Sequence, residues 1–303
     1  MTVETQTIDT WCREVLGAGV SVPIFSSGRL AQVIGVQLED GRKVVVKVRP
    51  ASPRLAAVVS TQRHLHQSGV PCPRPLAGPL PFGSQAITAE SYVPGNRLPR
   101  GVPSADACAE LLASVLTAAP PASAVAELNP APPWVGWDHP GDQTWPPPDD
   151  VDADLNHSAA SDWLDAAARR IRQALLAHAS APVVGHVDWE AHNMGWDGER
   201  PIVVYDWDSL AIRTEPTIVG AAATVFASTT GTTIAASVSD TATFLDSYQG
   251  RREPFPSEQM KAAWAAGLWT LLYNAKKETA GGGGGYLMHL EAELEERMRL
   301  AGL

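Results

Sequence analysis

The 303-residue sequence predicts an α+β fold in which a small antiparallel sheet precedes a larger, mainly helical part. Three features predict it. Two β-branched runs in the first hundred residues are joined by Asp40-Gly41, a dipeptide suited to a tight hairpin turn. Segments around residues 104–118, 161–179, 259–277 and 286–299 carry apolar side chains at helical spacing. Between these helices a second turn signal, Asp197-Gly198, lies between Val183-Val184 and the strand-like run Ile202-Val203-Val204-Tyr205.

In chain order, residues 31–38 and 43–49 form the first two strands. Strand side chains alternate, so Val44, Val46 and Val48 share one face of the second strand while Lys43, Val45, Lys47 and Arg49 share the other. Alternation alone leaves open whether Lys47 serves a site or is a solvated edge charge. Ser52-Pro53 reads as an N-cap with Pro at the first helical position, and Leu55, Val58, Val59, Gln62 and Leu65 mark the buried face that follows. After the turn Gly69-Val70-Pro71-Cys72-Pro73, residues 85–93 read as a further strand running into Pro94-Gly95.

The second part opens with a helix over residues 104–118. Nine prolines between residues 120 and 148 remove the N–H groups that regular structure needs, so this stretch, with Trp134, Trp137 and Trp145, is a packed loop or a lid. Its aromatic content favours packing, with a cation or carbohydrate contact as the other reading. Ser161 caps a helix reaching about residue 179, with Leu164, Ala168, Ile171 and Leu175 inward. Met260, Ala263, Trp264, Leu268, Leu271 and Ala275 line the inner side of the next. The glycines at 281–285 form a joint before an amphipathic helix carrying Leu287, Leu290 and Leu294. No strand precedes these glycines, so they are not a phosphate loop.

A hydrophobic content of 45% with 18% charged residues is that of an ordinary globular protein. No run reaches the roughly 20 apolar residues of a membrane span, and residues 1–10 lack a secretory pattern, so a cytoplasmic protein is expected. Cys12, Cys72 and Cys108 have neither disulfide nor zinc spacing. Residues 1–100 hold 11 Lys and Arg against 6 Asp and Glu, whereas residues 101–303 hold 12 against 27. That asymmetry suits an anionic nucleotide on one part and a cationic small molecule on the other, although acidic surfaces also serve solubility. No basic stripe is present, so nucleic acid is not an expected partner, nor is a membrane. Oligomeric state is not legible.

The most informative segment is His186-Val187-Asp188-Trp189-Glu190-Ala191-His192-Asn193, followed by Asp206-Trp207-Asp208. A hairpin closing around residues 197–200 sets Asn193 opposite the Val204 region with Asp206 just beyond, so an amide and a carboxylate converge. Such oxygen ligands suit Mg²⁺, which takes few carboxylates and shares phosphate oxygens and waters. Asp188 then stands at the rim, able to orient a hydroxyl, the geometry of phosphoryl transfer.

His186-x-Asp188-x-x-x-x-Asn193 with Asp206-Trp207-Asp208 resembles the catalytic segments of the aminoglycoside phosphotransferase and choline kinase-like family, relatives of the protein kinases. Family members read His-Gly-Asp, Pro-Gly-Asn and Ile-Asp-Trp-Glu; here Val187, Ala191-His192 and Asp208 replace positions without metal or proton chemistry. The resemblance implies a bilobal protein kinase-like fold, with residues 1–95 as a nucleotide-binding lobe and residues 96–303 as a catalytic, substrate-binding lobe. It implies an ATP- and Mg²⁺-dependent phosphotransferase, GTP being left open, acting on a hydroxyl of an amine-bearing molecule such as an aminoglycoside, amino sugar or amino alcohol, with antibiotic resistance one possible role. By that resemblance Asp188 is the catalytic base or hydroxyl-orienting residue, Asn193 and Asp206 hold the metal, and His186 holds the loop; Asp208 either adds a second metal contact or, the preferred reading, supports Asp206. Lys47 grips the nucleotide phosphates, Ser27 of Ser26-Ser27-Gly28 lies in the phosphate-covering loop, and the backbone of Ser91 and Val93 meets adenine.

One departure stands out. Family members pair the lysine with a helix Glu, yet no acid occurs between Asp40 and Glu90, leaving Gln62 as a neutral substitute. Loss of that acid would also suit a nucleotide-binding pseudoenzyme. A metal-dependent hydrolase using His186, Asp188, Glu190 and His192 is a further alternative, weakened because alternating positions on an extended strand cannot all reach one metal.

Overall fold

Five antiparallel strands in the order β1-β2-β3-β5-β4 build the first part of the chain: β1 Val20–Ser27, β2 Gln32–Leu38, β3 Lys43–Pro50, β4 Pro75–Phe82 and β5 Gln85–Ser91. The computed structural model describes residues 5–28, 31–95, 103–132, 136–148, 151–158, 162–229, 235–281 and 285–303, and the chain divides into units Met1–Pro94 and Gly95–Leu303. In the first unit Val44, Val46 and Val48 of β3 pack with Val36, Leu38 and Ile87 and with Ile8 and Trp11 of helix α1 (Thr5–Trp11). The β2–β3 turn sits where Asp40-Gly41 places it, Gly41 taking a φ of +85° that favours glycine.

Three details differ from the sequence reading. The first strand is β1, and Ser27 is its last residue rather than part of a loop ahead of the sheet. Pro23 disguises β1, but a proline is tolerated on an edge strand, which β1 is. Helix α2 (Arg54–Gln67) begins one residue later than expected, and Ser52 contributes its carbonyl to the Leu55 N–H rather than a side-chain cap. Strand β5 ends at Ser91, so Val93 lies beyond the ladder.

The second unit contains α3 Ala105–Ala118, α4 Asp162–Ala177, α5 Glu215–Val225, α6 Val238–Gln249, α7 Ser257–Gly281 and α8 Gly285–Leu300. Ser104 caps α3 by accepting from the Ala107 N–H. Two strand pairs are inserted among these helices: β7 (Met194–Asp197) with β8 (Arg200–Val204), and β6 (Pro182–His186) with β9 (Leu210–Thr214). Val183-Val184 therefore does not face the run at residues 202–205; its partner is the unanticipated β9. Leu287 and Leu294 are only half-buried, and α8 turns Tyr286, Leu290, Arg297 and Met298 inward instead. Among the described residues no single helix is long and apolar enough to cross a membrane.

The proline-rich stretch is packed. Trp145 is 2% exposed, stacks on Trp269 at 5.6 Å and donates through Nε1 to Asp165 at 2.7 Å. The same carboxylate pairs with the fully buried Lys276 at 2.9 Å, pinning the stretch between α4 and α7. Trp134, Ser161, residues 96–102 and residues 282–284, which carry earlier expectations, lie outside the described residues.

Candidate functional site

The loop between β6 and β7 is fixed by His186. Its imidazole is fully buried, lies edge-on to Trp189 and Trp207, and joins the Tyr205 carbonyl through Nε2 at 3.1 Å and the Asp188 N–H through Nδ1 at 3.3 Å. Both ring nitrogens are thus engaged within the loop, which removes His186 from the ligand set of a hydrolase.

Gly198, with a φ of +59°, turns β7 into β8, and Met194 pairs with Val204. The register continues as the Tyr205 N–H donates to the Asn193 carbonyl at 2.8 Å, bringing Asn193 beside the residue preceding Asp206. Asn193 Nδ2 donates to Asp188 Oδ2 at 2.7 Å and to the Asp188 carbonyl at 3.0 Å. With the nitrogen committed, Oδ1 is the amide atom left to meet a cation. Asp206 has φ 53° and is the one non-glycine residue with positive φ among those described, a conformation Asp tolerates better than most. No donor to its carboxylate occurs among the described residues. An amide oxygen and a carboxylate of this kind are hard donors that fit Mg²⁺. Asp208 follows in the short 3₁₀ turn Trp207–Ser209.

Asp188 is crowded by negative charge. Burial first, then Glu190 and Asp206, push its carboxyl up to about 7. Nearby, His192 Nδ1 meets Glu190 Oε2 at 3.0 Å, a contact that raises the imidazole pKa against the opposing effect of burial. Asp188, Glu190 and His192 line a cavity of about 240 Å³. Its other walls come from α5 (Ile218, Ala221), α7 (Trp269, Tyr273, Lys277), Trp137 and Arg213. Arg213 is ion-paired with Asp138 and lies 4.9 Å from the Trp137 ring centre. Of the three, Asp188 lines this cavity, whereas Asn193 and Asp206 do not. Arg213, Trp269 and Lys277 went unforeseen, because they are scattered in sequence, whereas Trp137 belongs to the stretch read as a packed loop or a lid and meets the cation Arg213.

In the first unit Lys47 is 8% exposed, not a solvated edge charge. Its Nζ lies 3.0 Å from Oε1 of Glu90 on β5. Glu90 Oε2 accepts from Gln62 Nε2 at 3.0 Å, and the same nitrogen donates to the Pro73 carbonyl at 2.8 Å. Gln62 is therefore not the direct partner of Lys47; Glu90 is, and the strand ladder supplied what the helix lacks. Ser27 is exposed at the end of β1, beside Gly28 with φ +118°. The Ser91 N–H is consumed by the Arg74 carbonyl at 2.9 Å and the Tyr92 N–H by Lys43 at 3.1 Å, so neither can donate to a base.

Residues 21–213 match the phosphotransferase enzyme family APH. A search of curated protein sequences gave no match. Among solved structures, the chain is similar to an amicoumacin kinase in complex with AMP-PNP, Ca²⁺ and Ami, with a TM-score of 0.66 and 10% identity over 98% of this chain and 94% of that one. It is also similar to spectinomycin phosphotransferase in complex with ADP and spectinomycin, with a TM-score of 0.56 and 11% identity over 100% and 94% of the two chains. A macrolide 2'-phosphotransferase from Brachybacterium faecium gives 0.54 and 14% over 92% and 98%. These likenesses show the protein kinase-like fold, and the family match over most of the region from β1 to β9 shows the rest: the chain belongs to the APH phosphotransferase enzyme family, whose members move a phosphoryl group to an alcohol.

Proposed function

We propose that this protein transfers the terminal phosphoryl group of ATP, carried with Mg²⁺, to a hydroxyl of a small amine-bearing molecule in the cytoplasm. The observation that carries this reading is the 2.7 Å bond from Asn193 to Asp188, beside an Asp206 carboxylate without a donor among the described residues. Asp188 accepts the hydroxyl proton, since it alone of the three lines the cavity. Asn193 Oδ1 and Asp206 would hold the metal, which would supply positive charge to offset that of the phosphates. Lys47 would meet the nucleotide phosphates, Ser27 stands beside Gly28 where the phosphate-covering loop is expected, and the backbone of Ser91 to Val93 would serve the base.

The acceptor is small. A cavity of about 240 Å³ lies below the roughly 300 to 1,000 Å³ of drug-sized sites, and it carries Arg213 and Lys277 besides its carboxylates. An amino alcohol or a single amino sugar suits this volume better than a polycationic aminoglycoside, its ammonium group facing the side lined by Asp188 and Glu190. Three free, buried cysteines accord with a reducing compartment.

The test is a screen of amino alcohols, amino sugars and aminoglycosides for acceptor-dependent release of ADP. Turnover with a member of the first two classes, dependent on Mg²⁺ and absent in Asp188→Ala, is the expected result. Turnover that Asp188→Ala leaves intact would overturn the assignment. Glu90 removes the motive for a pseudoenzyme reading, because Lys47 does have a carboxylate partner.

A further inference from the structure

We infer that Glu90 is the positioning residue for Lys47 and that, in this chain, movement of α2 does not control that lysine. The inference rests on the phosphotransfer reading above. In protein kinases the lysine's carboxylate partner projects from a helix, so displacing the helix breaks the pair and switches the enzyme off. Here both partners stand on adjacent strands of one sheet. Val45 pairs with Glu90 and Lys47 with Thr88, so Glu90 lies one diagonal step from Lys47 on the same face. The spacing of the charges is therefore set by backbone hydrogen bonds between β3 and β5, which a helix shift does not touch. Each residue is 8% exposed, and burial at that level is tolerable only while both charges are paired. Helix α2 adds one hydrogen bond to this carboxylate, from the uncharged Gln62 amide to Oε2, while Lys47 lies nearest Oε1. The Pro73 carbonyl fixes which end of the Gln62 amide faces Glu90, so the carboxylate is held from behind while its front oxygen aims Lys47.

A double-mutant cycle tests this, with the affinities of the full-length protein for Mg·ATP and for adenosine measured by calorimetry. Glu90→Gln should weaken Mg·ATP by about tenfold or more, the worth of one charged hydrogen bond, and leave adenosine within about twofold. In a Lys47→Met background the same change should add less than about twofold, because its target is gone. Gln62→Leu should cost Mg·ATP no more than about threefold, because it leaves the Lys47–Glu90 pair and its strand register in place. Undiminished Mg·ATP affinity in Glu90→Gln overturns the inference while leaving the phosphotransfer reading intact, as does an equal loss with and without Lys47. A Gln62→Leu loss matching that of Glu90→Gln overturns it too, since the helix would then carry the orientation. If Glu90→Gln also loses adenosine, Glu90→Asp takes its place, and unchanged Mg·ATP affinity there counts against the role. A wild-type protein that does not bind Mg·ATP overturns both readings.

Discussion

Asn193 holds Asp188 by two bonds from one nitrogen, 2.7 Å to the carboxylate and 3.0 Å to the carbonyl. The pairing holds the carboxylate at the cavity and commits the amide nitrogen, which leaves Oδ1 as the amide atom that could meet a cation.

Removing either member should therefore have different consequences. Asp188→Ala should lower turnover by about 10²- to 10⁴-fold, the usual worth of a positioned base, with nucleotide affinity within a few-fold. Asn193→Ala should instead raise the Mg²⁺ concentration needed for half-maximal rate as well as slowing the reaction, because it would remove a proposed metal ligand together with the bond that holds Asp188. Steady-state kinetics over a Mg²⁺ titration separates the two; an unaltered metal requirement in Asn193→Ala would contradict ligation.

Asp206 combines charge with a left-handed backbone. Asp206→Asn keeps a residue that accepts this conformation and loses the charge, whereas Asp206→Ala loses both. The alanine variant should be less stable than the asparagine variant by about 1 kcal/mol in denaturant unfolding. Stabilisation of wild type by ATP should need Mg²⁺ and vanish in both variants. Equal stabilisation by ATP in chelator would argue against a metal at Asp206.

The pH dependence of the metal-free protein follows from Asp188. Its carboxyl is pushed up to about 7 by burial and by Glu190 and Asp206, while an unfolded chain titrates near 4. The folded state thus keeps a proton that the unfolded state has released, so this group's contribution to stability declines as pH rises from about 4 through about 7. Asp188→Asn has no such proton, and its melting temperature should gain on wild type between about pH 5 and about pH 8. Mg²⁺ favours the carboxylate and should narrow the gap. Parallel melting curves for the two proteins across that range would count against the raised pKa.

How much of this was legible in the sequence depended on chain distance. The Asp188, Asn193 and Asp206 constellation spans one loop and one tight hairpin, so spacing and the Asp197-Gly198 signal nearly determine it. Lys47 and Glu90 are joined by a strand register spanning 43 residues, which alternation within β3 does not encode. Edge strands β1 and β4 carry Pro23 and Pro75, Pro79 and Pro81, residues that argue against strand locally and are admitted only because the outer edge needs no partner. Trp145 illustrates the opposite case: its loop could be read as packed from composition, but its partners, Asp165 and Trp269, could not.

The cavity depends on how closely α5 and α7 approach, which two glycines decide. A methyl group on Gly220 would run into the backbone of Ala263 on α7, and one on Gly267 would meet the Thr224 hydroxyl and the Gly220 carbonyl on α5. In an exposed helix, replacing Gly by Ala gains about 1 kcal/mol. Here overpacking of about 1 to 3 kcal/mol opposes that gain, so the sign of the net effect reports the contact. Gly220→Ala should be the more damaging, since every close neighbour is backbone, while part of the Gly267 contact is a hydroxyl that can rotate away. The same helices carry Ile218, Ala221 and Val225 on one cavity wall and Trp269, Tyr273 and Lys277 on another, so forcing them apart widens the site. Both variants should raise the KM for the acceptor while leaving Mg·ATP affinity within about twofold, because Asn193 and Asp206, the proposed metal ligands, do not line this cavity. Denaturant unfolding and acceptor kinetics test the two halves independently; a Gly220→Ala protein as stable as wild type would mean that α5 and α7 can separate freely and that these glycines do not set the width of the cavity.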